Sequence, residues 1–149
     1  MKTPTKEQLN PGPEDLDGQV VVEHLLGKSI EGAVALLEEN SAHYQEDYTW
    51  MGAKAFCYYC PALVRYLRKS TASNDTLFAY GMLGTFRHRL THDGALIAPA
   101  IPVIEEFCVV VEAESERLGF DDNYAKRAQR RIAELKAKID SVRAHEATA

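Results

Sequence analysis

The sequence predicts an all-α protein, a compact single-domain array of five or six helices with the last two forming an antiparallel pair. Three observations carry that expectation. Apolar residues recur every three or four positions through most of the chain, strand-like patterning is confined to one short run, and the periodic segments are bounded by helix start and stop residues. The 149 residues match the usual size of one domain. A chain of this mass buries roughly 16,000 Å² on folding, enough for a core without disulfides or metal.

Residues 1–14 are polar and carry Pro4, Pro11 and Pro13, the composition of a flexible arm ahead of a helical domain spanning 15–145. The first element runs from Asp15 to Leu26. Leu16, Val20, Leu25 and Leu26 share a face there, but the β-branched run Val20-Val21-Val22 keeps a strand open as the alternative. Gly27 closes the element, and Ser29 caps a second helix, Ile30 to Asn40, with Ile30, Val34 and Leu37 inward. Ser41 to Trp50 reads as one or two helical turns or an ordered loop.

Met51 to Lys69 keeps helical spacing through Phe56, Cys60, Leu63, Val64 and Leu67, yet Pro61 should kink or restart it. Asn74 or Asp75 caps a helix reaching Thr91, with Leu77 or Phe78, then Met82, Phe86 and Leu90, inward. Gly81 and Gly84 in it suggest close approach of a neighbour, since each weakens a helix by about 1 kcal/mol relative to alanine. Pro102 starts a helix to Leu118, with Ile104, Phe107, Cys108 and Val111 inward and an acidic outside. Asp121 or Asp122 caps the last helix, which reaches Ala144 and leaves 146–149 frayed. Its stripe is Tyr124, Ala128, Ile132, Leu135, Ile139 and Val142, and its outside is basic. The short Gly119–Asp122 turn pairs these last two helices, so acidic and basic faces neutralise each other without a ligand.

Composition narrows function. Charged residues make up 26% and hydrophobic residues 46%, as in ordinary globular domains, and the formal charge is −5. A net-acidic chain gains nothing from phosphate counterion release, so no nucleic acid is expected; the basic stretch Lys126 to Arg131 reads as a solvated face. No apolar run approaches a membrane span, so no membrane is expected. Three cysteines, no disulfide framework and no secretory leader suggest the cytoplasm.

Cys57 and Cys60 form a C-x-x-C on one helical face, and His88 and His92 sit at i, i+4. Together they compose a Cys₂His₂ zinc set, the alternative reading being a metal-binding protein or hydrolase. Cysteine is also a common core residue, and no cofactor is expected. His43, near Glu39 and Asp47, composes an acid–base pair that lacks a nucleophile and an orienting third group. The chain reads as a non-enzyme.

The richest segment runs from His43 to Ala62. Tyr44, Tyr48 and Trp50 accompany Glu38, Glu39, Glu46 and Asp47, a combination of anchors and steering charge typical of protein interfaces. The alternative makes the aromatics core residues with polar tips bonded inside.

Tyr44-x-Glu46-Asp47, Trp50-Met51-Gly52, Ala55-Phe56, Tyr58-Tyr59 and Pro61-Ala62 resemble a motif of small uncharacterised bacterial proteins, Met-Gly-x-x-Ala-Phe-x-Tyr-Tyr-x-Pro-Ala. The resemblance covers about residues 24–70. It implies a bacterial source and a helical fold and brings no functional residue with it. Cys57 and Cys60 depart from the family pattern, which counts against zinc. The expected function is therefore protein–protein interaction, with a basic protein as partner, as an immunity or antitoxin-like inhibitor would have. A homodimer through the C-terminal helix is a further alternative.

Overall fold

The computed structural model describes residues 2–148. Met1 and Ala149, the outer ends of the expected arm and frayed tail, lie outside the described residues. Eight α-helices order the described residues: α1 (Lys6–Leu9), α2 (Leu16–Leu25), α3 (Ile30–Tyr44), α4 (Asp47–Trp50), α5 (Ala53–Leu67), α6 (Thr76–Asp93), α7 (Ile101–Ala113) and α8 (Asp122–Ala147), with 3₁₀ turns at Ser70–Ala72 and Ala98–Ala100. There is no strand among the described residues. The all-α expectation holds, while the count exceeds five or six because α1 and α4 are single turns too short to show a period.

The caps explain most boundaries. Asp15, Ser29, Asp75 and Asp121 each accept a hydrogen bond from a first-turn backbone N–H, satisfying an orphan donor. The strand alternative at 20–22 fails: Gly18, Val21 and Leu25 point inward at helical spacing. Gly27 follows at φ +79°, the left-handed geometry that ends a helix. Tyr59 reinforces this end, donating its hydroxyl to the Leu25 and Lys28 carbonyls at 2.9 and 2.8 Å.

Of two expected breaks, one is present and one is absent. α5 runs through Pro61 as one helix, because buried residues on both sides, from Ala55 to Leu67, hold it together. The expected end at Asn40 is present within α3, where Asn40 leaves helical geometry at φ −161° and its side chain caps the turn that follows through the His43 N–H, the helix resuming to Tyr44.

α5 is the central helix, and a chain of ring contacts runs through it: Tyr48–Phe56–Phe86–Phe107–Phe78–Tyr66, with centroids 4.8 to 6.5 Å apart. These rings come from four helices and all are buried. Such pairs add about 0.5–1.5 kcal/mol each beyond their area burial.

The segment read as a flexible arm is not loose. Leu9 is wholly buried, α1 is closed by a Thr5–Gln8 capping box, and the Gly52 N–H donates to the Leu9 carbonyl at 3.2 Å.

α8 serves two neighbours rather than α7 alone. Against α7 it forms Glu105–Arg143 at 2.8 Å and Glu112–Lys136 at 3.8 Å, numbers falling on one helix as they rise on the other. Against α6 it runs parallel, through Tyr80–Arg131 and Arg87–Glu134, numbers rising together on both helices. Gly84 accommodates the Arg131 guanidinium, and Gly81 faces the Gln45 amide, so side chains rather than a helix backbone make the close approaches. Ala128, Ile132, Leu135 and Ile139 are buried within the chain, so this stripe is not available to seat a second copy.

Candidate functional site

The structure divides the sequence-predicted contact set. Glu39 and Glu46 are exposed and Tyr44 is partly buried. Trp50, the only tryptophan, is 48% exposed. Asp47 and Tyr48 are buried, so they cannot face a partner. Tyr48 packs its ring on Phe56, since its position in α4 points into the core. Glu38 is engaged elsewhere, with Lys69 at 3.6 Å and Thr71 at 3.1 Å. Those residues follow α5, whereas Trp50 precedes it, about 22 Å of helix away. The exposed members of the set left near Trp50 in the chain are therefore Trp50 itself and Glu46, with Tyr44 partly buried beside them and Glu39 exposed on α3.

What lies behind Trp50 was not legible in the sequence. Three buried polar or charged side chains are present among the described residues, Asn10, Asp47 and Arg89, and the two charged ones bear on the elbow of residues 47–52. Arg89, from α6, reaches under the elbow. Its Nη1 donates to the Met51 carbonyl at 2.6 Å and the Thr49 carbonyl at 3.1 Å, the two residues flanking Trp50. Its guanidinium lies 4.9 Å from the Phe56 ring centroid. Nε is 3.1 Å from the Asp93 carboxylate but off the hydrogen-bond axis, so that pair is held by charge alone. Burial pulls the Arg89 pKa below its ordinary value, opposed by Asp93.

Asp47 is held from the other side. His24, on α2, places Nδ1 2.9 and 3.1 Å from the two Asp47 oxygens. Burial pushes the Asp47 carboxyl above its ordinary value, and the His24 hydrogen bond opposes this. The His24, His43 and Tyr44 rings meet one another with centroids 4.8 to 5.1 Å apart. The sequence placed His43 beside Asp47; the structure gives that place to His24.

Gly52 closes the elbow. A Cβ built there meets the Gln8 carbonyl oxygen at 2.2 Å and Pro11 at 2.8 Å, so only glycine allows the arm to lie across α5. Asn10 in turn packs its amide against Gly18.

The zinc set is not assembled. No group of three or more His, Cys, Asp or Glu side chains suited to a metal occurs among the described residues. Cys60 is buried, Cys57 directs its thiol to the Leu96 carbonyl at 3.8 Å, and His88 and His92 stack on each other with centroids 4.4 Å apart. Burial raises all three thiols, Cys108 to about 12, which removes thiolate character at neutral pH.

His24 was missed because a lone histidine on an apolar helix carries no signal for its partner. Arg89 left a trace: Met82, Phe86, Arg89 and Asp93 follow helical spacing, so the arginine belonged to the inward face.

No family model, curated protein or solved structure matches the chain. No described helix is long and apolar enough to cross a membrane.

Proposed function

We propose that the protein is a recognition module that binds a basic protein partner through Trp50, with Glu46 steering the encounter, in the manner of a bacterial cytoplasmic immunity or antitoxin-like inhibitor. The observation that carries this reading is the elbow. Trp50 stands half-exposed between two carbonyls tied to one buried arginine, and the turn before it is tied through Asp47. Buried charges are costly unless well paired, so their concentration under one exposed aromatic fits a rigid, preorganised anchor. Tryptophan is the side chain most enriched at binding hot spots. The net charge of −5 favours a basic partner chiefly through association rate.

The test is affinity capture from a bacterial lysate, read by mass spectrometry, with wild type and Trp50→Ala compared. A stoichiometric basic partner should bind wild type and lose roughly 30-fold in affinity with the variant, as a hot-spot loss of about 2 kcal/mol implies. Glu46→Lys should slow association, most at low salt. A partner held equally by wild type and Trp50→Ala would overturn the reading.

One observation favours a second reading, general acid–base chemistry at His24. Asp47 orients its imidazole, the role of the third member of a catalytic triad. The pair lies outside the groove lined by Glu7, Val22 and Glu23, so it faces no substrate cavity there. Hydrolysis of a generic ester abolished by His24→Ala but retained by Trp50→Ala would favour it.

A further inference from the structure

We infer that the groove between α1 and α2 is a docking site for a short basic segment of a partner protein that brings an apolar side chain with it. This goes beyond the Trp50 reading and does not depend on it. The groove encloses about 590 Å³, the size of clefts that hold small ligands or a few side chains. Its lining mixes the apolar Pro11, Pro13 and Val22 with the amides of Asn10 and Gln19 and the carboxylates of Glu7 and Glu23, with Lys6 as the only cation in the lining.

Three features point to that occupant. The first is charge. Residues 6–26 hold five carboxylates, Glu7, Glu14, Asp15, Asp17 and Glu23, against one lysine, Lys6, a net −4 within a chain of −5. None of these carboxylates has an ion-pair partner among the described residues, whereas Glu105, Glu106, Glu112 and Glu114 on the α7 side are all paired. An unneutralised field of this kind attracts cations and discriminates against acidic chains.

The second is exposed apolar surface. Leu16, Val20 and Leu26 are 74%, 41% and 50% exposed, all on α2 or its cap. Leu16 and Val20 are four apart and Glu23 follows three later, so they form one stripe. Leu26 continues the row that Val22 and Glu23 begin beside the groove. A wholly solvated acidic helix has no use for these side chains.

The third is rigidity. Thr5 and Gln8 cap α1 reciprocally, the Gly52 approach seats the arm, and His24 fixes the far side of α2 to Asp47. A preformed groove spares the ordering cost that weakens peptide binding.

A second copy would offer basic residues too, Lys126, Arg127 and Arg130 on α8. That contact is head-to-tail and builds open chains unless its rotation closes a ring, so the foreign segment is the simpler occupant.

The test pans a phage library of random dodecapeptides on the full-length protein, then maps one enriched synthetic peptide by amide chemical shifts. The enriched sequences should place Lys or Arg within four residues of Leu, Ile or Phe. The peptide should shift the amides of Glu7, Gln19, Val22 and Glu23. Its affinity should fall at least tenfold in Glu7→Lys/Glu23→Lys, fall less in Glu7→Gln/Glu23→Gln, and stay unchanged in Trp50→Ala. Both glutamates are exposed, so unchanged circular dichroism should accompany the loss. No enrichment, enrichment of acidic peptides, shifts centred on Trp50, or equal binding by the double lysine variant would each overturn the inference. So would concentration-dependent self-association abolished by that variant, which would give the groove to a second copy. Loss of Trp50-dependent capture alone would leave the groove standing, so the two readings fail separately.

Discussion

Two regions of this molecule use charge in opposite ways. Along the α7–α8 seam, Glu105–Arg143 and Glu112–Lys136 are ion pairs at the surface, each side chain 43–67% exposed. At the elbow, Asp47 and Arg89 are each 4% exposed, and their partners are backbone carbonyls, a histidine and one carboxylate. Exposed pairs are screened by water and salt, while a buried charge stripped of its partner keeps its full desolvation cost. The seam can therefore lose any one pair with little consequence, and the elbow cannot. Charge number does not predict structural weight; burial does.

The sharpest way to break that comparison is at Arg89. Arg89→Met keeps most of the apolar stem but strands the Thr49 and Met51 carbonyls and frees Asp93. It should cost about 3–5 kcal/mol in urea unfolding, the range for breaking a buried pair. A loss below about 1 kcal/mol, the surface-pair range, would erase the distinction between elbow and seam.

Gly52→Ala comes next. Its Cβ meets backbone at 2.2 Å, which cannot rotate away as a side chain can. A loss of roughly 1–3 kcal/mol is expected from overpacking. Increased hydrogen exchange in residues 5–11 should accompany it, showing that the arm rather than the core has lifted. Protection unchanged there would mean the arm is held by something other than this approach.

The third concerns pH. Burial raises the Asp47 carboxyl above its ordinary value of 3.8, so the native state binds more protons than the unfolded chain in the window just above that value. Stability from this group is present below the unfolded value and is lost as pH rises through the folded one. The stability difference between wild type and Asp47→Asn should therefore fall as pH rises from about 3.8, and then level off. A difference that rises instead would mean that the His24 hydrogen bond outweighs burial, making the elbow electrostatically like the seam.

The smallest effect belongs to the seam itself. Arg143→Ala removes a bidentate contact to Glu105, with Nη1 and Nη2 at 3.0 and 2.8 Å, yet should cost at most about 1 kcal/mol and less at high salt. A cost approaching that of Arg89→Met would place real structural weight on surface pairing.

The amino-acid sequence by itself determined the helical class, the caps at Ser29 and the buried stripe of α8, because helix propensity, capping and apolar period are local. It determined, too, that Trp50 and Glu46 share a short segment. It placed a helix boundary at Asn40, where the chain does leave helical geometry, and a break at Pro61, which is absent because proline's local penalty is outweighed by burial on both sides of α5. Only the tertiary structure decided that Tyr48 turns inward while Trp50 turns outward. It alone brought Arg89 to the Thr49 and Met51 carbonyls, 38 to 40 residues away in the chain, and gave Asp47 to His24 rather than to its neighbour His43. Those pairings carry no local signature: a buried charge takes whichever partner the packing of distant helices brings within hydrogen-bond reach.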